Sequence, residues 1–547
     1  MPGFTRILAL REATTARISA QTATPAASTA SLLRRLPSGV LVAVAAGLAT
    51  FAVLLCRNAY VFSARIYEDS DFAANSILVN QAQHLRLLVG NYSRVHFNHP
   101  GPALLYVEAG GNALFHDLLR LVPTPYNGEL LAVFALNALL VGLVVRTVWE
   151  YRRTAAAAAV ALATILAWTG GHVPLGSAWF PHLYYMPFLL LAVAGASVAA
   201  GRTRDLPALV LACGLLLHGH VAFAMFVGVS AVVALGCWAW SVRRGWRGEL
   251  GGNRRAVVVA GGLLFLFLLP MVLELALHWP GQWERYLDYV RGRSAIPNQL
   301  PAALRYAGGF WSPSPVWGAA LALAGAACAA LAATDPDRAR RRFLLRLLGA
   351  VVLESLLFLV YAVRGVDDLH QTYIGIFYGA VPLALLLATG LAAARLVDRA
   401  GRIGGVALLA AACAAIVVAA FAGPAFANGY RGDPELPSMV EALRDAPPRQ
   451  GRPVRIVRFS HDAWPQVVGF VVAARRDRLR ACIDGEEWSF MFTSDYRCAG
   501  REDASGWQVV VALRGQDRAP PRGRTPPPRP VWTGGRVDVV PVGPHQR

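Results

Sequence analysis

The chain has 547 residues, 55% of them hydrophobic and only 16% charged, too apolar for a soluble globular protein of ordinary composition. A formal net charge of +19 does not mark a nucleic-acid binder here. The basic residues are all arginine and gather in short loops between apolar runs, so the composition is that of a polytopic membrane protein with no nucleic-acid partner.

Residues 1–37 are expected to form a cytoplasmic tail. About eleven apolar windows follow, most of them long enough to cross a hydrocarbon core about 30 Å thick. They run Gly39 to Cys56, Leu130 to Val145, Ala155 to Thr169, Tyr184 to Ala200, Leu206 to Leu217, Val221 to Val242, Ala256 to Leu277, Val316 to Ala333, Phe343 to Val363, Thr372 to Ala394, and Ile403 to Phe421. The third and fifth are short. The first reads as an uncleaved anchor, because Arg57 follows it without a small-residue cleavage site.

Arginines occupy every second loop: Arg146, Arg152 and Arg153 after the second window, Arg202 and Arg204 after the fourth, Arg243 and Arg244 after the sixth, Arg340 and Arg341 after the eighth. Cytoplasmic loops carry such an excess. The N-terminus is therefore expected inside and the C-terminal region outside, and the arginine-only style suits a bacterial plasma membrane. Two acidic residues lie within windows, Glu274 near an outer end and Glu354 mid-span. Buried membrane charges are costly, so Glu354 either partners an arginine or histidine lining a cavity or is protonated and hydrogen-bonded between helices.

The first outer loop, residues 58–129, is the longest polar stretch among the windows. It opens on EDSDFAANSILVNQAQHL, a helix predicted to be capped by Asp, continues through the Pro- and Gly-punctuated turn NYSRVHFNHPGP, and ends in an amphipathic helix around Leu104 to Leu118. The histidines fall outside or at outer window ends, His96 and His99 in this loop, His172 and His182 in the next, His218 and His220 at the turn between windows five and six. That clustering points to one polar site at the outer boundary.

One span, a large outer loop with acidic residues right after it, many further spans and an outer C-terminal domain resemble the GT-C superfamily of membrane glycosyltransferases over roughly residues 38 to 500. SDFA followed by NYSRVHFNHPGPALLY is similar to the first-loop signature of bacterial GT-C proteins of the polyprenyl-phosphate-sugar-dependent type. The resemblance implies an enzyme that transfers a sugar, with inversion, from a polyprenyl-phosphate carrier to a cell-envelope glycan, lipid or protein on the outer face. It also implies a first-loop carboxylate as general base. Asp71 is the first choice, and Asp69, two residues away, stays open. A hydroxyl acceptor is a weak nucleophile, and a positioned base contributes about 10² to 10⁴ in rate. The departing lipid phosphate needs fixed cations, for which Arg94 and His99 are nearest in sequence. His96, His218, His220, Arg285, Arg291 and His370 are further candidates brought in by folding. Some GT-C enzymes use a divalent metal ion; Asp69, Asp71 and His99 would be its ligands here, although their spacing is not diagnostic.

From 429 to 547 the composition becomes that of a soluble domain. PVRIVRF reads as a strand, AWPQVVGFVVAARRDRL as an amphipathic helix and WQVVVAL as a second strand, a small extracytoplasmic α/β domain with a Pro-rich segment at 519–530. Cys482 and Cys498 lie outside, where a disulfide is permitted but two free thiols also fit. The expected fold class is thus mainly α, a GT-C-like domain over 38–428 followed by the α/β domain. Two other functions compete. A transporter or flippase of lipid-linked glycans would show repeated halves, and none is evident. A catalytically inactive GT-C-like protein of envelope assembly is opposed by little in the sequence.

Overall fold

The structure is a computed structural model that describes residues 38–292, 297–312, 314–398, 401–423, 426–446, 452–484, 489–499, 506–514 and 529–542. The N-terminal tail, most of the Pro-rich segment, His545 and the side chain of His172 lie outside the described residues.

Each of the eleven apolar windows is helical. Helix α1 spans Ser38–Arg57; the first loop then supplies α2 (Ser70–Gln83) and α3 (Ala103–Gly111), which widens into a π-turn over Asn112–Leu118. Next come α4 (Pro125–Tyr151), α5 (Ala155–His172), α6 (Phe180–Ala199), α7 (Leu206–Gly219), α8 (Phe223–Val242), the short α9 (Trp246–Gly252) and α10 (Arg254–Leu277). Two amphipathic helices, α11 (Gly281–Gly292) and α12 (Leu300–Trp311), precede α13 (Pro315–Ala333), α14 (Arg338–Arg364), α15 (Ala380–Asp398, entered through a 3-10 segment Thr372–Gly379) and α16 (Gly401–Ala422). Nine helices among the described residues are long and apolar enough to cross a membrane. The third and fifth windows, α5 and α7, are shorter apolar helices packed into the same bundle.

Local chemistry sets several boundaries. Thr154 caps α5 by accepting from the Ala157 N–H at 3.2 Å, and Asp337 caps α14 through Ala339 and Arg340. Helices α4 and α6 are enclosed, whereas α10 and α16 bury few residues and expose much of their apolar surface, as helices facing lipid do. Helix α1 lies tightly on α4, where a Cβ on Gly142 would come 2.4 Å from the Ala43 carbonyl oxygen, the close approach that small residues permit between membrane helices. Glu354, 1% exposed, meets no arginine or histidine among the described residues. Its Oε1 accepts from Ser230 Oγ of α8 at 2.5 Å, an interhelical hydrogen bond.

Beyond α16, α17 (Leu436–Asp445), β1 (Val454–Phe459), α18 (Trp464–Arg476), β2 (Ala481–Ile483), β3 (Trp507–Leu513), β4 (Trp532–Thr533) and β5 (Val537–Pro541) build a sheet of order β2-β1-β3-β5-β4. β1 is parallel to both β2 and β3, and β5 runs antiparallel to β3 and β4. A disulfide joins Cys482 and Cys498.

Two hydrophobic cores form among the described residues, and α2 belongs to both. Leu78, Val79 and Ala82 pack into the helix bundle, while Ala73, Ala74 and Ile77 pack into the C-terminal domain beside Leu436, Val468 and Phe470. This double burial fixes the helix that carries Asp71.

Candidate active site

Asp69 and Asp71 flank Ser70, whose φ of +54° is left-handed, a conformation costing a non-glycine residue about 1–3 kcal/mol. The turn sends the two carboxylates apart. Asp69 occupies the N-cap position of α2 without capping it; its Oδ1 accepts instead from Tyr430 Oη at 2.6 Å. Burial raises the Asp69 carboxyl above the usual range, and the Tyr430 hydrogen bond offsets part of that. Asp71 faces a cavity of about 590 Å³. Its Oδ1 accepts from Tyr92 Oη, and its Oδ2 accepts from Trp179 Nε1 at 2.8 Å.

Each of those donors is itself held. Tyr92 stands in a small hairpin closed by the Ser93 N–H to Phe97 carbonyl bond at 2.8 Å and the His99 N–H to Asn91 carbonyl bond at 2.9 Å. Its phenol is pushed well above the ordinary value by burial and by the Asp71 charge, so it remains a donor. Trp179 lies between the rings of His182 and Tyr373, with centroids 5.0 and 5.3 Å away. Two fixed donors orient the carboxylate while leaving each oxygen a further lone pair.

Five stretches of chain form the cavity walls: α2 with the hairpin, the turn before α6, the His220 turn with the start of α8, α11, and the end of α14 running into the 3-10 segment. Asp71 and the arginines Arg94 and Arg364 mark the polar part; Phe223, Met225, Val360 and Phe377 line an apolar part. Val360 is 51% exposed on the helix surface. Arg94 pairs with Asp367 at 3.0 Å and donates to Gln371 at 3.1 Å. Arg364, exposed at the C-terminal end of α14, has no hydrogen-bond or ion-pair partner among the described residues.

His99 and His220 line the cavity with ring centroids 4.1 Å apart. His99 Nδ1 accepts from the Val221 N–H at 3.4 Å, and His220 Nδ1 from the Ala222 N–H at 3.1 Å. Burial drives His99 well below the imidazole range, helped by His220, and lowers His220 to about 4. Both are neutral near pH 7, so neither supplies a positive charge to a phosphate.

Of the residues nominated from sequence, Asp71, Arg94, His99 and His220 line the cavity, whereas Asp69, His96, His218, Arg285, Arg291 and His370 do not. The reasons are local. His218 is tied into the bundle, accepting from the Ala103 N–H at 3.2 Å and lying 2.7 Å from the Phe267 carbonyl. The His96 ring turns to Phe490, 4.6 Å away. Arg285 donates to the His96 carbonyl at 3.3 Å, and on α11 the cavity face is instead Tyr286, Tyr289 and Val290. Asp69, Asp71 and His99 do not form a three-ligand group, and no such cluster of His, Cys, Asp or Glu occurs among the described residues.

Sequence reasoning missed Tyr92, Trp179, Asn75, Asn91 and Arg364. Tyr92 and Trp179 sit inside segments singled out for their histidines, and nothing local to either marks it as a partner of Asp71.

No protein-family model and no curated protein matches the chain. Among solved structures it is similar to ArnT from Cupriavidus metallidurans bound to undecaprenyl phosphate, at 13% identity and a TM-score of 0.52, covering 92% of this chain and 97% of that one. The apo state of the same protein gives 14% identity and a TM-score of 0.50, with the same 92% and 97% coverage. The likeness is one of fold: the chain is a polytopic membrane protein that shares the overall fold of ArnT.

Proposed function

We propose that this protein is a membrane glycosyltransferase that moves a sugar from a polyprenyl-phosphate carrier to a cell-envelope acceptor at the outer face of the plasma membrane, with Asp71 as general base. The observation that carries this reading is one cavity holding an oriented carboxylate, an arginine without a partner among the described residues and an apolar extension. A polyprenyl phosphate is an amphiphile with the same division, an anionic head on a hydrocarbon tail. The fold neighbour ArnT has been solved with undecaprenyl phosphate bound.

Asp71 takes the proton of the acceptor hydroxyl as that oxygen attacks the anomeric carbon. The bond from the anomeric carbon to the phosphate oxygen breaks, and the carrier leaves as a lipid phosphate. Arg364, free to donate two parallel hydrogen bonds, meets the charge that accumulates there. Arg94 is second to it, being already shared with Asp367.

The test supplies purified protein with undecaprenyl phosphate bearing a panel of sugars and an envelope extract as acceptor, and reads transfer by mass spectrometry. Asp71→Asn lowers turnover by at least ~100-fold, with membrane insertion unchanged. Full turnover in both Asp71→Asn and Asp69→Asn would sink the assignment.

A further inference from the structure

Two acceptor atoms at the cavity have nothing to accept from among the described residues. The Oδ1 atoms of Asn75 and Asn91 are shielded from solvent and have no hydrogen-bond partner there, and both residues line the cavity. Asn75 is 5% exposed. It follows Asp71 by four residues on α2, so carboxamide and carboxylate share one helix face. Asn91 precedes Tyr92, the phenol that donates to Asp71. The two unpaired carboxamide oxygens therefore belong to the segments that hold the proposed base.

Buried acceptors without donors are rare in folded proteins, because each forfeits a hydrogen bond it would make in water. The nearby protein donors are committed. Tyr92 and Trp179 both donate to Asp71, and Tyr184, whose phenol hydrogen-bonds with the Asn91 side chain, spends its own proton on the Gly219 carbonyl at 2.7 Å. A dianionic lipid phosphate has no proton to offer, and an isoprenoid tail has none either. The part of a ligand that satisfies Asn75 and Asn91 directly must bring hydrogen-bond donors of its own, which the hydroxyls of a sugar supply.

We propose that Asn75 and Asn91 read the glycosyl unit, their carboxamide oxygens accepting hydrogen bonds from free hydroxyls of a neutral, polyhydroxylated sugar. The inference rests on the glycosyl-transfer reading and adds to it a means of telling a loaded carrier from a spent one. A site built to bond a hydroxyl discriminates strongly against a ligand that lacks it. The spent carrier is the loaded one without those hydroxyls, so the same two residues favour product release.

The experiment measures equilibrium binding to the full-length protein in detergent, by quenching of tryptophan emission, for bare undecaprenyl phosphate and for the carrier bearing glucose, galactose, mannose or arabinose. Wild type binds at least one loaded carrier roughly tenfold or more tighter than the bare one. Asn75→Leu and Asn91→Leu each cut that preference severalfold while holding bare-carrier affinity within about twofold, which also certifies that the variant is folded; Asn75→Ser and Asn91→Ser serve for any leucine variant that does not fold. Variants that retain the wild-type preference overturn the proposal, as does a wild type that binds bare and loaded carriers equally; in that second case the lipid-phosphate reading survives. A wild type that binds no polyprenyl phosphate, bare or loaded, overturns the parent reading and this one with it.

Discussion

At the scale of single residues, His99 and His220 carry a pH signature. Both are neutral in the folded protein, with His220 lowered to about 4 by burial and His99 displaced in the same direction. An unfolded histidine titrates near 6.5. Between those values the unfolded chain binds more protons, so folding stability is complete above about pH 6.5 and is lost as the pH falls toward 4. The slope is at most about 1.4 kcal/mol per pH unit for each histidine. Glu108, raised well above the carboxyl range by burial and by Glu129, titrates with the opposite sign, so the difference between proteins is the useful readout. Thermal midpoints in detergent at pH 7 and pH 5 are expected to separate more for wild type than for His220→Asn; equal separations would contradict the burial argument. The carboxylate of the candidate site was legible in the sequence, since an acidic pair just beyond an apolar window stands out against leucine and alanine. Its donors were not. Trp179 lies 108 residues from Asp71, and only the folded chain, which brings the turn before α6 to the start of α2, reveals the pairing.

At the scale of elements, the C-terminal domain holds α2 from outside. Arg476 of α18 forms a two-pronged ion pair with Glu68, whose side chain is fully buried, and Tyr430 holds Asp69. The helix approaches closely because Gly469 lacks a side chain: a Cβ there would come 2.9 Å from the Glu68 carbonyl oxygen and 3.2 Å from the Asp69 Cα. Removing one partner of a buried pair leaves an uncompensated charge, at a cost of about 3–5 kcal/mol. Arg476→Leu is therefore expected to lower the thermal midpoint strongly, and the double variant Glu68→Gln/Arg476→Leu to recover much of the loss. A double variant no better than the single one would show that the ion pair is not what holds the segment. The helices themselves were readable from hydropathy. The role of α2 was not, because a helix buried on two opposite faces, Ala73 and Ile77 toward one core and Leu78 and Ala82 toward the other, shows none of the one-sided periodicity by which amphipathic helices are recognised.

At the scale of the whole molecule, the arginine pattern predicts which end of the bundle faces which compartment. In a background with the five unpaired cysteines replaced, Arg94→Cys is expected to react with a membrane-impermeant maleimide in intact cells, and Arg341→Cys only after permeabilisation. The reverse pattern would invert the topology and move the proposed chemistry to the cytoplasm. Because α2 is wedged between two cores, the parts of the cavity differ in how freely they can change over generations. A substitution at Ala73 must be accommodated by the sheet domain, and one at Leu78 by the bundle, whereas Tyr289 on α11 belongs to neither core. Substitutions along α11 and the 367–373 loop can reshape the cavity for a different ligand while the carboxylate stays in register, so divergence among relatives is expected on the side of the cavity away from α2.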